Sequence, residues 1–146
     1  MTDRTDQLQR DRAAVEELNA DFYAAFERGD LDAMTEIWLD APDTICIHPG
    51  TTPLRGSSTI TRSWALIMAN TPYIQFFLTD VEVNVHADVA SVTCTENVLT
   101  ADESTADDAF AGARAVATNV FVRTGDTWRL WIHHSSPVIS SEHDEQ

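Results

Sequence analysis

A chain of 146 residues with 43% apolar content has room for one globular domain and not for two, and at that size roughly two thirds of the unfolded surface can be buried. Twenty-four acids against nine arginines, with no lysine, give a formal net charge of -15, which excludes nucleic acid and anionic membranes as partners because both require a cationic surface. Two cysteines, Cys46 and Cys94, with no CxxC spacing, exclude a disulfide framework, zinc ribbons and zinc fingers.

The first thirty residues carry charges throughout and contain no apolar leader core, and no later window reaches bilayer-spanning length. A soluble cytoplasmic protein with inert buried thiols is therefore expected. The missing lysine fits a GC-rich genome; a salt-loving host accounts for the acidity as well.

Residues 1–10 read as a flexible extension. Val15, Leu18, Phe22 and Phe26 then recur at three- and four-residue steps, predicting a long helix from about Asp11 to Arg28. Gly29 closes it, and Asp30 can cap a short second helix carrying Leu31, Met34, Ile37 and Trp38, which Ala41-Pro42 stops. Ile45, Cys46 and Ile47 form a strand that runs into His48-Pro49-Gly50. After Gly56, Ser57 or Ser58 can cap a third helix with Ile60, Trp64 and Ile67 on one face, ended by Asn70-Thr71-Pro72.

From Tyr73 onward alternation replaces the helical step. Val81, Val83 and Val85 point one way, and "HAD" at 86–88 turns the chain into a partner strand ending near Thr100. The acidic stretch 100–112 reads as a loop. "RAVATNVFVR" and "TWRLWIHHS" form a last hairpin across Gly125-Asp126. Helices followed by a meandering sheet imply an α+β domain over residues 11–139, with residues 140–146 a disordered polar tail.

Alternation also sorts the polar residues. Glu96 falls among Ala90, Val92, Cys94 and Val98, and Asn119 shares a face with Ala115, Ala117 and Phe121, so one carboxylate and one amide are expected to point inward. A buried carboxylate must be hydrogen-bonded, paired or neutralised. In the last strand Arg129, Trp131, His133 and Ser135 share one face and Trp128, Leu130, Ile132 and His134 the other, so only one of the two adjacent histidines can serve an interior site. His48 is placed at the rim of any cavity, beside Arg55, which can meet an anionic substrate group or pair with the acidic rim.

The order helix, "RGDLDAM", short helix, strand, "HPG…LRG", helix, then "TEN", "ATNVF" and "WRLWIHHSSP" resembles the SnoaL-like branch of the nuclear transport factor 2-like (ketosteroid isomerase-like) superfamily over roughly residues 12 to 138. The resemblance implies a cone-shaped α+β barrel, three helices packed on a strongly curved antiparallel or mixed sheet around a central pocket, with two copies paired through the sheet as a homodimer. It implies acid-base isomerisation, cyclisation or dehydration of a mostly apolar cyclic small molecule without an organic cofactor; a non-catalytic ligand-binding or dimerisation module is the alternative. The isomerases resembled here have an aspartate base immediately before the proline where this chain has His48. Their donating tyrosine falls by spacing on Phe22, and their neutral acid falls near Asn119.

The candidate catalytic set is thus His48, Glu96 and His133, with Glu96 paired to His133 to hold its tautomer. Trp38, Trp64, Phe77 and Trp131 are the candidate aromatic walls, and Arg55 and Asn119 the candidate polar ligand contacts. No metal is expected, although His48, Glu96 and His133 would make a two-histidine, one-carboxylate set if they converged.

Overall fold

The computed structural model describes residues 2–101 and 110–139. Among them, three helices lie against a six-stranded mixed sheet that does not close. The expected tail at 140–146 and most of the expected acidic loop lie outside the described residues.

Helix α1, Thr2–Arg28, begins nine residues earlier than the apolar stripe alone indicates. Its first turns bury nothing, but Gln7 donates to Asp11 four residues on (3.0 Å) and Arg10 donates back to Gln7 (2.8 Å), pairs that support a helix without a core to pack on. From Asp11 the helix meets the sheet. Val15, Asn19, Phe22, Tyr23 and Ala25 are all buried. Gly29, at φ 64°, ends the helix by bonding its amide to the Phe26 carbonyl while Asp30 bonds back to Ala25, the left-handed closure for which glycine is suited. Asp30 then accepts from the Ala33 amide (3.1 Å) and caps α2, Leu31–Ile37, as its side chain allows.

Strands β1, Ile45–Ile47, and β2, Leu54–Arg55, form a small antiparallel pair at one sheet edge. Helix α3, Ser57–Ala69, follows, but neither serine caps it. Ser57 Oγ instead accepts from the Ala41 amide (2.7 Å) and donates to the Ala41 carbonyl (2.9 Å), stitching the start of α3 to the loop after α2. Four long strands complete the sheet: β3, Ile74–His86; β4, Val89–Ala101; β5, Phe110–Thr124; and β6, Thr127–Pro137. The order is β2-β1-β6-β5-β4-β3, parallel only between β1 and β6. The two expected tight turns are present, with Ala87 at φ 54° and Gly125 at φ 65°.

Two register shifts decide which side chains face the helices. Between Thr79 and Glu82 the pairing of β3 with β4 slips, with Asp80 at φ 54°. Between Val120 and Phe121 the pairing of β5 skips Trp131, since Val120 faces Ile132 and Phe121 faces Leu130. An extra residue on one strand inverts the alternation beyond it. Phe76 and Leu78 therefore face in on one side of the first shift and Val83 and Val85 on the other. In β6 the inward set is Trp128 and Leu130, then His133 and Ser135.

An ion cluster fastens the upstream part of α1 to the far end of the sheet. Arg123 on β5 donates to both carboxylate oxygens of Asp11 (3.0 and 2.7 Å) and to Asp88 in the β3–β4 turn (3.1 Å), while its guanidinium lies 4.5 Å from the centre of the Trp128 ring. The Arg123 hydrogen bond is the main reason that Asp11 ionises below the usual carboxylate range. No helix among the described residues is long and apolar enough to cross a membrane.

Candidate functional site

A cavity of about 320 Å³ opens between the concave sheet face and helices α1 and α3. Its walls are apolar: Phe22, Phe26, Trp64, Ile67, Phe76 and Val98. Phe22, Phe26 and Trp64 interlock edge to face, with ring centres 4.9 to 5.5 Å apart where Trp64 meets each phenylalanine, a geometry that aromatic quadrupoles favour. Against these walls stand Tyr23, His48, Glu96, His133 and Ser135.

The inward carboxylate and amide are both where alternation puts them. Glu96 is 4% exposed and Asn119 fully buried. Glu96 is not paired with His133, however. Its Oε2 accepts from the Tyr23 hydroxyl (2.6 Å) and its Oε1 from the Ser135 hydroxyl (2.7 Å). Asn119 sits one layer behind the cavity wall, donating from Nδ2 to Asn19 Oδ1 (2.8 Å) and to the Tyr23 oxygen (3.2 Å). His133 Nδ1 meets Asn119 Oδ1 at 2.5 Å. The amide thus takes the orienting role expected of the carboxylate.

Burial, then the Glu96 charge, pushes the Tyr23 hydroxyl far above its usual range, so it remains a neutral donor. Burial is also the main reason that the His133 imidazole falls to about 3, the nearby His48 and His134 adding to the effect. At neutral pH His133 is an uncharged ring.

His48 stands where β1 ends, held by the turn in which the Thr51 amide and hydroxyl both donate to its carbonyl (3.0 Å each). The ring lies edge-on to Trp64, centres 5.0 Å apart, and its Nε2 is 3.1 Å from Ser63 Oγ and 3.6 Å from Cys46 Sγ. Partial burial lowers its pKa below the ordinary histidine value, and burial raises the Cys46 thiol to about 12, which leaves that sulfur protonated and unreactive. The His48 and His133 ring centres are 6.4 Å apart across the cavity.

His48, Glu96, His133 and Trp64 therefore share one cavity, whereas Asn119 sits behind its wall and the four remaining candidates lie elsewhere. Phe77 is 53% exposed on the opposite sheet face because the shift between Thr79 and Glu82 puts Phe76 inward in its place. Trp131 is the skipped residue of β6, and its indole donates to the Asp43 carbonyl (3.1 Å). Trp38 is buried against Phe22, ring centres 6.4 Å apart, and bridges to Leu130. Arg55 is exposed on the edge strand β2. The separation of the two histidines by face is borne out, with His133 buried and His134 exposed.

Tyr23, Asn19 and Ser135 were not singled out from the sequence. Asn19 lies four residues after Val15 and four before Tyr23, so both polar residues follow the buried stripe. Among the described residues no group of histidine, cysteine and acidic side chains is arranged to hold a metal ion, and both Glu96 oxygens are engaged by hydroxyls.

Comparison with known proteins agrees with this architecture. A SnoaL-like domain model matches residues 15–140. A solved structure from Streptomyces avermitilis, proposed to be a dehydratase of the NTF2-like family, is 48% identical with a TM-score of 0.82, covering 90% of this chain and 99% of that one. A proposed calcium/calmodulin-dependent protein kinase type II association domain from Thiobacillus denitrificans is 31% identical with a TM-score of 0.74, covering 85% of this chain and 94% of that one. F-box protein SKIP8 of Arabidopsis thaliana is 26% identical over 126 residues, which are 86% of this chain and 50% of that protein, so the chain spans about half its length. With its three helices, mixed open sheet and matching sequence model, the chain belongs to the SnoaL-like domain family of NTF2-like proteins.

Proposed function

We propose that the protein is a small-molecule enzyme that moves a proton on a mostly apolar cyclic substrate held in the cavity, with loss of water as the reaction. The observation that carries this reading is a hydrogen-bonded polar chain, Asn19, Asn119, His133, Tyr23, Glu96 and Ser135, standing against a largely apolar cavity. Buried networks of this kind are costly unless completely satisfied, and they hold their members in fixed orientations. The dehydratase proposal for the 48% identical relative points the same way.

Magnitudes decide which imidazole moves the proton. A His133 pKa near 3 makes it a base weaker than an ordinary histidine by roughly three orders of magnitude. His48, half-buried at the mouth and lowered by burial alone, is the better fit to general acid-base work near neutrality. In this mechanism the His48 imidazole removes a proton from the carbon beside a carbonyl. The bond to the neighbouring hydroxyl then breaks, and the same proton returns to that oxygen so that water leaves. The free thiols Cys46 and Cys94 suit work in the reducing cytoplasm.

The test is a thermal-shift screen of hydroxylated cyclic ketones, followed by turnover of each hit. The expected result is turnover that falls about 10²- to 10⁴-fold in His48→Gln while ligand stabilisation persists. Ala115→Leu, which fills the cavity from β5, is expected to remove both. Ligands that stabilise the protein without being turned over favour the second reading, a binding or assembly module. That reading draws on the 31% identical association domain and on Phe77 and Val116, exposed on the outer sheet face, where we place a homodimer contact.

A further inference from the structure

We infer that the cavity selects an uncharged ring carrying a hydroxyl group, because His133 offers it a lone pair on Nε2 and not a proton. The inference rests on the cavity being a ligand site, as proposed above, and adds the chemical class of what enters.

The direction of each proton follows from groups that can only accept. The Glu96 carboxylate accepts, so at 2.6 Å the single Tyr23 proton points to it. The Tyr23 oxygen can then only accept from its other neighbours, the Cys94 thiol at 3.7 Å and Asn119, whose atom facing it at 3.2 Å is the amide nitrogen. That nitrogen spends its second hydrogen on Asn19 Oδ1, which leaves Oδ1 of Asn119 to face His133. An amide oxygen cannot donate, so the proton in the contact belongs to His133 Nδ1. With Nδ1 protonated, Nε2 of the neutral ring is a bare acceptor. Among the described residues the ring's one hydrogen bond is the Nδ1 contact with Asn119.

The other polar groups reinforce this selection. Ser135 has its proton on Glu96, so the wall around His133 presents acceptors and a carboxylate, while Arg114 and Trp64 line the cavity elsewhere. An anionic ligand meets repulsion from Glu96 and from the overall charge of -15, and an ether or simple ketone has no hydrogen to give. A phenol, enol or alcohol does. The volume of about 320 Å³ lies at the small end of ligand pockets, which suits one or two fused rings.

The experiment uses 2-naphthol, 2-methoxynaphthalene and 2-naphthoate as probes in isothermal titration of the wild-type protein. The naphthol is expected to bind at least about tenfold more tightly than the methyl ether, in line with one buried hydrogen bond, and the naphthoate most weakly. In His133→Phe the naphthol preference is expected to vanish. Equal binding of naphthol and ether, or tightest binding of naphthoate, overturns the inference while leaving the cavity a ligand site. Binding of none of the three removes the cavity reading and the inference with it. Nitrogen NMR of the ligand-free wild type gives an independent check: the inference requires a protonated Nδ1 and an unprotonated Nε2 on His133, and the reverse tautomer refutes it.

Discussion

Lowering the pH from about 7.5 to about 4.5 tests the interior placement of His133 quantitatively. In the unfolded chain its imidazole takes up a proton below the ordinary value of 6.5, but in the folded protein burial delays that uptake to about 3. Between those values the unfolded state binds more protons, so stability falls as the pH falls; above about 6.5 neither state is charged and this residue contributes no slope. Each pH unit inside the window costs close to 1.4 kcal/mol, and the difference accumulated between about pH 7.5 and 4.5 is about 2.5 kcal/mol, a large fraction of a typical domain's stability. The assay is urea denaturation across that range for the wild type and His133→Gln, whose amide can still donate to Asn119. Titrating carboxylates and His48 are common to both proteins and cancel in the comparison. The variant is expected to lose about 2.5 kcal/mol less than the wild type on acidification. Parallel curves would show that His133 is solvated in the folded state and would undo the site geometry that depends on it.

Tyr23→Phe removes the only donor to Glu96 Oε2 among the described residues and is expected to cost about 1.5 to 3 kcal/mol by denaturant titration; a cost below about 0.5 kcal/mol would mean that water replaces the hydroxyl. Arg123→Gln breaks the bidentate contact with Asp11, so hydrogen exchange in the first half of α1 is expected to accelerate while cavity binding is kept. A double-mutant cycle with Asp11→Asn is expected to return a coupling of about 1 kcal/mol, and a zero coupling would make the contact incidental.

The elements that hide least in the sequence are those fixed by local chemistry. Gly29 and the Asp30 cap close and open helices through their own backbone and side-chain geometry, and Gly125-Asp126 needs only the turn it makes. Glu96 and Asn119 were readable because β4 and the middle of β5 keep strict alternation across their inward runs. Phe77 and Trp131 were misplaced for the opposite reason: each lies at or across a register shift, which depends on the partner strand and leaves no mark in the local pattern. The partnership of Glu96 with Tyr23 spans 73 positions. A helical stripe is wide enough to hold Phe22 and Tyr23 together, and spacing from "RGDLDAM" pointed to the first alone.

The skipped Trp131 has a consequence for how such cavities diversify. Upstream of it the strand is phased so that Trp128 and Leu130 meet the helices; downstream the phase is reversed, and His133 and Ser135 take their place. Loss of Trp131 would only straighten the strand and leave every pair in place; were Trp131 instead paired with Val120 and not skipped, the end of the strand would turn by half a period, sending His133 and Ser135 to solvent and Ile132 and His134 inward. The chemistry of the hollow is therefore set partly by whether one residue of the last strand is paired or passed over, with the scaffold unchanged.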